Sequence, residues 1–429
     1  MDWGEDFVLL ETLRRDKDNA QNLLFTHPID VITCHKQAHL HKSFRQIDSC
    51  LQKGFYLAGF LAYELGYLLE DTLKYHNLTN CYPLIWLGVY DKIKKLDKPL
   101  VHTEKGKYYL SPPVFTEKLS EYKKKISKIK EFIRDGETYQ INYTSSYKFD
   151  FWGDVFPFYA KLKENQEVSY ASLIDYGGNC IISLSPELFF RIDRNRRITV
   201  KPMKGTAAKI LPRNWLPDSE KNIAENVMIV DLLRNDLGRI CAAGSVKTTE
   251  LFAVEEYNTL WQMTSTIKGE LLPQAGISDI IKSLFPCGSV TGAPKINSMK
   301  IISSLEKEPR NVYTGAIGYF GPDNTAVFNV AIRTIDFQRI QGKAYAAQMG
   351  IGGGIVEDSG ADDEYQECEL KAQFLVKSLP DFSLIETILC VDGKIKYRDM
   401  HLQRLKTSAQ YFNIPCNVSD IKRTLKKYA

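Results

Sequence analysis

Short apolar runs separated by polar turns fill residues 1 to about 110, for example at 7–10, 54–69 and 84–90. The second run, GFYLAGFLAYELGYLLE, is rich in aromatic and small residues and predicts a buried strand passing into a helix. Ser111-Pro-Pro marks a boundary. An amphipathic helix is expected over 117–134, with apolar residues at Leu119, Ile126, Ile129, Phe132 and Ile133, and Gly136 ends it. YQINYTSSYKF (139–149) alternates as a strand. A short helix is expected at 156–163, and strands at 170–174 and 180–184.

The stretch SPELFFRIDRNRRITVKPMKGT (185–206) reads as strand, polar turn, returning strand and tight loop. Such a hairpin brings Glu187, near one end, close to Lys204, near the other. Gly205 then lets the backbone approach a ligand, and Thr206 adds a hydroxyl. Taken alone, this stretch reads more simply as a surface hairpin with an exposed lysine and glutamate. A helix is expected over 222–240, with Ile223, Val227, Val230 and Leu237 as its buried stripe. At ~100° per residue, Glu225 points away from that stripe, toward solvent or toward a site.

FPCGSVTGAPK (285–295) is a glycine-containing loop before a helix over 296–305. It fails the Walker phosphate pattern, because Ala293-Pro294 stands where Gly-Lys would begin. Its backbone N–H groups, Ser289 and Thr291 still suit a carboxylate. Strands are expected at 313–320 and 326–335, the second carrying Arg333. GIGGGIVEDSGADDEYQECELK (350–371) lacks the dinucleotide fingerprint, because Ile355 stands where a glycine is needed. The acidic part is expected to be helical, with Glu364, Glu367 and Lys371 on one face beside a glycine loop. Two carboxylates there suit Mg²⁺, or form an acidic face paired with Lys371.

Composition narrows the function class. The chain has 429 residues, 44% hydrophobic and 25% charged, with length for about two to three domains. A net charge of +4 gives no support to nucleic-acid or membrane binding. Nine cysteines without CxxC spacing argue against zinc and a disulfide framework, and fit a reducing, cytoplasmic setting. His35, His39 and His41 have no acidic partner nearby and read as a polar helix face. No signal peptide or membrane anchor is expected from the N-terminus.

Together, the segments SPELF, PMKGT, ENVMIVDLLRND, FPCGSVTGAPK, YTGAIGYFG and GIGGGIVEDS…EYQECELKA resemble the chorismate-utilising enzymes. They span about 115–378 in the family's order. The resemblance implies an α/β (α+β) fold in which two large antiparallel sheets pack as a core with helices outside. It makes 1–112 the family's N-terminal region and 113–378 the chorismate-binding catalytic domain. It implies Glu187 as general acid and Lys204 as nucleophile. Lys204 would add to C2 of chorismate, and ammonia would then attack C4. Such a lysine needs a depressed pKa to be neutral, and the acid a raised one. Lysine at 204, where anthranilate synthases usually carry alanine, points to the aminodeoxychorismate synthase branch. Gln140 stands where water-adding members have a lysine base. Gly205, Thr206, Thr291, Tyr313, Arg333, Gly352 and Lys371 match substrate-contacting positions. Glu225, Glu364 and Glu367 match Mg²⁺ ligands. Met203, Cys287 and Asn222 depart from the usual pattern.

Residues 379–429 resemble the start of a class IV aminotransferase fold, as in aminodeoxychorismate lyase. HLQRL is the clearest motif, and Arg404 matches the residue that holds pyridoxal phosphate. The Schiff-base lysine would lie beyond Ala429, so the cofactor is not expected on this chain. No Gly-x-Cys-x-Gly elbow is present, so ammonia from glutamine implies an amidotransferase subunit or domain. The competing readings are anthranilate synthase component I, a non-catalytic scaffold for a glutaminase, and a pyridoxal enzyme.

Overall fold

The computed structural model describes residues 3–15, 19–73, 82–101, 108–164, 166, 168–208, 212–256, 260–376, 384–411 and 416–428. The chain forms two compact units, residues 1–369 and 370–429.

The first unit holds two large sheets whose strand pairs are antiparallel. One runs in the order Gly292–Ala293, Gln140–Gly153, Ala344–Ile355, Thr334–Gln341, Asn179–Ser185, Tyr170–Tyr176, Val8–Glu11, Asn22–Phe25, Lys94–Leu96. The other runs Met203–Ala208, Leu260–Glu270, Arg197–Lys201, Leu188–Ile192, Ala326–Val330, Ala316–Phe320, Tyr56–Leu61, Ile85–Tyr90, Asp30–Cys34. Residues before Ser111 thus supply strands to both sheets.

Val8, Phe25, Ile174 and Ile181 of the first sheet pack on Phe60, Trp86, Tyr90 and Ile317 of the second. Strands buried on both faces read as almost continuous apolar runs, and all six residues of Ile85–Tyr90 are buried. Helices cover the outer faces. Gln37–Gln52, Glu220–Gly238 and Ile277–Leu284 bury Phe44, Ile229, Leu233 and Ile280 against the second sheet. Leu119–Arg134 and Lys295–Leu305 bury Tyr122, Ile126, Ile129, Ile301 and Ile302 against Ile141, Tyr143 and Ile355 of the first. This is the expected fold. No helix among the described residues is long and apolar enough to cross a membrane.

Four local expectations are corrected. Leu119 is exposed, because it opens its helix before the first packed turn. The buried face of Glu220–Gly238 is Asn226, Ile229, Val230, Leu233 and Leu237, and Val227 is exposed. Polar Asn226 takes the centre of that face because Ser265 Oγ donates to its Oδ1 at 2.6 Å. Glu225 and Val227 therefore flank the stripe, about 100° to either side. Residues 326–335 are not one strand. The chain leaves the second sheet after Val330 and enters the first at Thr334, with Arg333 at φ 51° in the crossing. GIGGGI is not a loop but the end of the strand Ala344–Ile355, with Gly352, Gly353 and Gly354 opposite Thr144, Tyr143 and Asn142.

In the second unit, Cys390–Val391 and Lys394–Ile395 pair across Asp392-Gly393, both at positive φ, as a two-residue hairpin turn favours. Helices Arg398–Tyr411 and Val418–Tyr428 follow. The strand, turn, strand and helix order matches expectation. The boundary expected at 378–379 lies outside the described residues.

Candidate active site

The hairpin forms as its pattern predicts. Leu188 pairs with Lys201, and Ile192 with Ile198. The Asp193 carboxylate accepts from Asn195 N and Arg197 N and so closes the turn. Pro202 ends the returning strand, and Met203–Ala208 continues along Leu260–Glu270. Glu187 and Lys204 are consequently neighbours at one end of the second sheet, close enough for the amine to favour the ionised carboxyl.

Glu187 is buried. Its backbone N–H donates to Ser185 Oγ at 3.2 Å, and its carbonyl accepts from Val330 N at 3.0 Å. Ser289 Oγ donates to its Oε1 at 2.7 Å. Burial outweighs this bond and the lysine charge, and pushes the carboxyl up to about 7. At neutral pH it holds a proton for a sizeable fraction of the time, as a general acid must.

Gln140 is 1% exposed, and its Oε1 has no hydrogen-bond partner among the described residues. Its amide occupies the space left by the absent side chain of Gly354. A β-carbon there would lie 2.1 Å from Gln140 Nε2 and 3.3 Å from Lys204 Nζ. The end of the glycine-rich strand thus brings Gln140 from the first sheet to Lys204 from the second.

Gly205 sits at φ +89°, and a β-carbon there would meet Asn222 Oδ1 at 3.3 Å. The N-terminal end of the helix Glu220–Gly238 therefore lies beside the lysine. Ser219 caps that helix by accepting from Asn222 N. Thr206 donates to Gln262 Oε1 at 2.8 Å. Thr291 is fully buried. It donates to Cys287 O at 2.9 Å and accepts from Tyr63 OH at 3.4 Å. Tyr313 lies against Gly350, where a β-carbon would strike its ring at 2.1 Å, and burial pushes its hydroxyl up. At Gly352 a β-carbon would strike Tyr143 O at 2.3 Å, so this glycine serves strand packing directly. Arg333 donates to Gln166 Oε1 at 2.8 Å.

The helix Ala361–Val376 carries Glu364, Glu367 and, past the boundary of the first unit, Lys371. Ser359 Oγ donates to Glu364 Oε1 at 2.8 Å. Among the described residues no three His, Cys, Asp or Glu side chains form a group able to hold a metal ion, so Glu225, Glu364 and Glu367 are not gathered into one. Glu364 and Glu367, three residues apart on one helix face, remain an all-oxygen pair. Mg²⁺ is commonly held by one or two carboxylates plus substrate and water oxygens, and the pair fits that mode.

A buried scaffold behind Thr291 escapes sequence reasoning. The Arg310 guanidinium stands 4.1 Å over the Tyr63 ring. It donates to Glu306, to Val290 O and to Asn142 O, while Glu64 accepts from Arg310 N and Asn311 N. The i, i+4 spacing of Glu306 and Arg310 was a signal for the ion pair, but not for its burial. A separate cavity of ≈ 520 Å³, lined by Glu11, Tyr170, Ser172, Arg191, Tyr319 and Asn329 among others, contains neither Glu187 nor Lys204.

The family model for chorismate binding enzyme matches residues 11–377. The chain is 39% identical over 274 residues to a probable chloroplastic aminodeoxychorismate synthase of Oryza sativa subsp. japonica, covering 61% of this chain and 30% of that protein. It is 37% identical over 272 residues to aminodeoxychorismate synthase component 1 of Escherichia coli K12, covering 60% and 57%. It therefore spans little more than half of either relative at most. Anthranilate synthase component I of Streptococcus pneumoniae TIGR4 superposes with a TM-score of 0.68 at 25% identity, over 84% of this chain and 93% of that one. The chain belongs to the chorismate binding enzyme family.

Proposed function

We propose that the chain is the aminating component of an aminodeoxychorismate synthase, a transaminase-class enzyme that converts chorismate and ammonia to 4-amino-4-deoxychorismate and water. The product serves 4-aminobenzoate and folate synthesis. The observation that carries this reading is Lys204 beside the buried carboxyl of Glu187, with Gln140 lodged over Gly354 where a water-activating base would otherwise stand.

The Lys204 amine forms a bond to C2 of chorismate. The ring double bonds shift, the C4–O bond breaks, and the oxygen leaves as water with the proton of Glu187. Ammonia then bonds to C4, the double bonds shift back, the C2–N bond breaks to release Lys204 as the neutral amine, and one proton of the new C4 ammonium returns to Glu187. Gln140 cannot take a proton from water, so no hydroxide competes with ammonia at that face. Arg333 provides charge for a substrate carboxylate. Gly205, Thr206, Thr291, Tyr313 and Gly352 shape its pocket.

We assign Mg²⁺ to Glu364 and Glu367; Glu225, the third ligand the resemblance implies, is not gathered with them. When bound, the ion supplies positive charge against a substrate carboxylate. Ser359 holds Glu364 in one orientation for that role. Ammonia is taken to come from a glutamine amidotransferase subunit or domain. Residues 379–429 are read as the start of a class IV aminotransferase-like domain, where Glu386 engages both His401 and Arg404. The cysteine pattern supports a cytoplasmic setting.

The test is a product assay with chorismate, Mg²⁺ and ammonium salt, with mass detection and added aminodeoxychorismate lyase. Formation of 4-aminobenzoate only in the presence of lyase supports the reading. Anthranilate would move the assignment to anthranilate synthase, the activity named for the pneumococcal neighbour. Chorismate binding without turnover would leave a scaffold.

A further inference from the structure

The loop between Ile277–Leu284 and Lys295–Leu305 brings two small polar side chains to the candidate acid. Ser289 Oγ lies 2.7 Å from Glu187 Oε1 and donates to it. Cys287 Sγ lies 3.2 Å from the same hydroxyl oxygen. Each of the three residues is only 4% exposed. The loop has little room to drift. Cys287 O accepts from Thr291 Oγ1 and from Val290 N, and a β-carbon at Gly288 would strike Leu232 Cδ2 at 2.4 Å.

A serine hydroxyl has one proton to donate. With that proton on Oε1, Ser289 cannot also donate to Cys287, so the thiol donates to Ser289. The chain of donors therefore runs thiol, hydroxyl, carboxyl. We propose that Ser289 is a positioning residue for the acid step, orienting the Glu187 carboxyl by donating to its Oε1, and that Cys287 fixes the serine hydroxyl in the orientation this requires. The inference rests on the proposed role of Glu187 as general acid.

Among the described residues, the groups that act on this carboxyl include the Lys204 amine, the Ser289 hydroxyl and the backbone of Met203, with the Cys287 thiol one step behind. Burial pushes that thiol up to about 12, so it remains a donor across the working range. In the acid step the carboxyl O–H bond breaks, its proton passes to the departing oxygen, and the electron pair stays on Glu187. Ser289 then donates to a carboxylate, a stronger bond than before.

The experiment measures kcat and KM against pH for the wild type, Ser289→Ala, Cys287→Ala and Cys287→Ser, at saturating Mg²⁺ and constant free ammonia. Removing a donor from the ionised carboxyl raises its pKa. Ser289→Ala should therefore move the alkaline limb of kcat up by about one pH unit and lower kcat about tenfold, as expected for losing a bond to a charged group. KM for chorismate should stay within about twofold, since this bond does not reach the substrate. Cys287→Ala should move the limb a smaller distance the same way, and Cys287→Ser should return it toward the wild type. An unmoved limb in Ser289→Ala overturns the proposal even if kcat falls, because loop damage alone does not retitrate Glu187. Should Ser289→Ala fold poorly, an unmoved limb in Cys287→Ala overturns the role of the thiol. Carbon-13 NMR titration of the Glu187 carboxyl, assigned by Glu187→Gln, separates the two failures. Absent wild-type turnover sinks the proposed function, whereas an unchanged titration in Ser289→Ala sinks the hydrogen-bond chain.

Discussion

Gln140 and Lys204 come from different sheets and meet over Gly354, where a β-carbon would lie 2.1 Å from one nitrogen and 3.3 Å from the other. Gly354→Ala should fold, because the strand keeps its pairing from Ala344 to Ile355 and φ at 354 is not in the left-handed region. One inserted methyl in a packed site costs about 1–3 kcal/mol, and it would fall on these two side chains. Turnover should drop at least tenfold, since an ångström of misplacement can cost about 10²-fold. Steady-state kinetics with ammonium salt check this. Wild-type kcat in a folded Gly354→Ala enzyme would mean that the two nitrogens are not held for chemistry.

Lys204→Ala removes the proposed nucleophile while leaving Glu187 and its hydrogen bonds in place. Amination at C4 should slow by on the order of 10²-fold or more, as for loss of a covalent catalyst. Residual turnover should include some anthranilate-type product, because a direct attack of ammonia at C2 no longer meets a lysine. Mass analysis of the products reads both effects. Unchanged kinetics would remove Lys204 from the mechanism.

As the proposed general acid, Glu187 would link activity and stability to the same proton. Its folded-state value of about 7 lies above the ordinary 4.5. Between these values the native protein keeps a proton that the unfolded chain has released, so stability falls as pH rises through that window. Glu187→Gln abolishes this loss and should be more stable than the wild type at pH 8, by on the order of 1–3 kcal/mol. The same variant should lose about 10²–10⁴-fold in kcat, the usual range for one proton-transfer group. In the wild type kcat should decline as pH rises through about 7. Urea unfolding at pH 5 and pH 8, alongside the kinetics, tests the pair of effects. A variant less stable than the wild type at pH 8 would mean that Glu187 stabilises the fold by its charge.

How much of this was legible in the sequence varies by residue. The Glu187–Lys204 juxtaposition was, because alternation and turn chemistry define a hairpin locally. The loop's suitability for a carboxylate was also legible, although the carboxyl near Ser289 is the protein's own Glu187. Gln140 beside Lys204 was not, because that contact joins positions from two sheets whose packing no local periodicity encodes. The burial of Asn226 was missed for the same reason, since its partner Ser265 lies 39 residues away. Three consecutive glycines in Ala344–Ile355 read as a loop by composition. They form a strand because Gln140–Gly153 supplies the hydrogen bonds and neighbouring side chains fill the space.

Glu364 and Glu367 should tie activity to a divalent cation. Chelation with EDTA should abolish turnover and added Mg²⁺ restore it. Glu367→Gln should raise the Mg²⁺ concentration needed for half-maximal rate about tenfold or more, since one charged oxygen ligand is lost from a hard cation. Binding of the ion alone, followed by calorimetry, gives a readout besides rate. A wild-type metal titration in Glu367→Gln would move the site to other ligands.

Arg310 carries a buried charge that fixes the back of the site. Its guanidinium donates to Glu306, Val290 O and Asn142 O, and Asn142 pairs with Gly354 while Val290 precedes Thr291. Arg310→Met keeps the bulk but leaves Glu306 without its buried counter-charge and two carbonyls without this donor. Breaking a buried pair in this way costs about 3–5 kcal/mol. The urea midpoint should fall with little change in slope. Removing the stranded charge as well, in Arg310→Met/Glu306→Gln, should recover part of that loss. Turnover should fall in both variants, because Thr291 and the Gln140–Gly354 contact lose their common support. A double variant no more stable than Arg310→Met would show that the guanidinium acts chiefly through its bonds to backbone carbonyls and its seat on Tyr63.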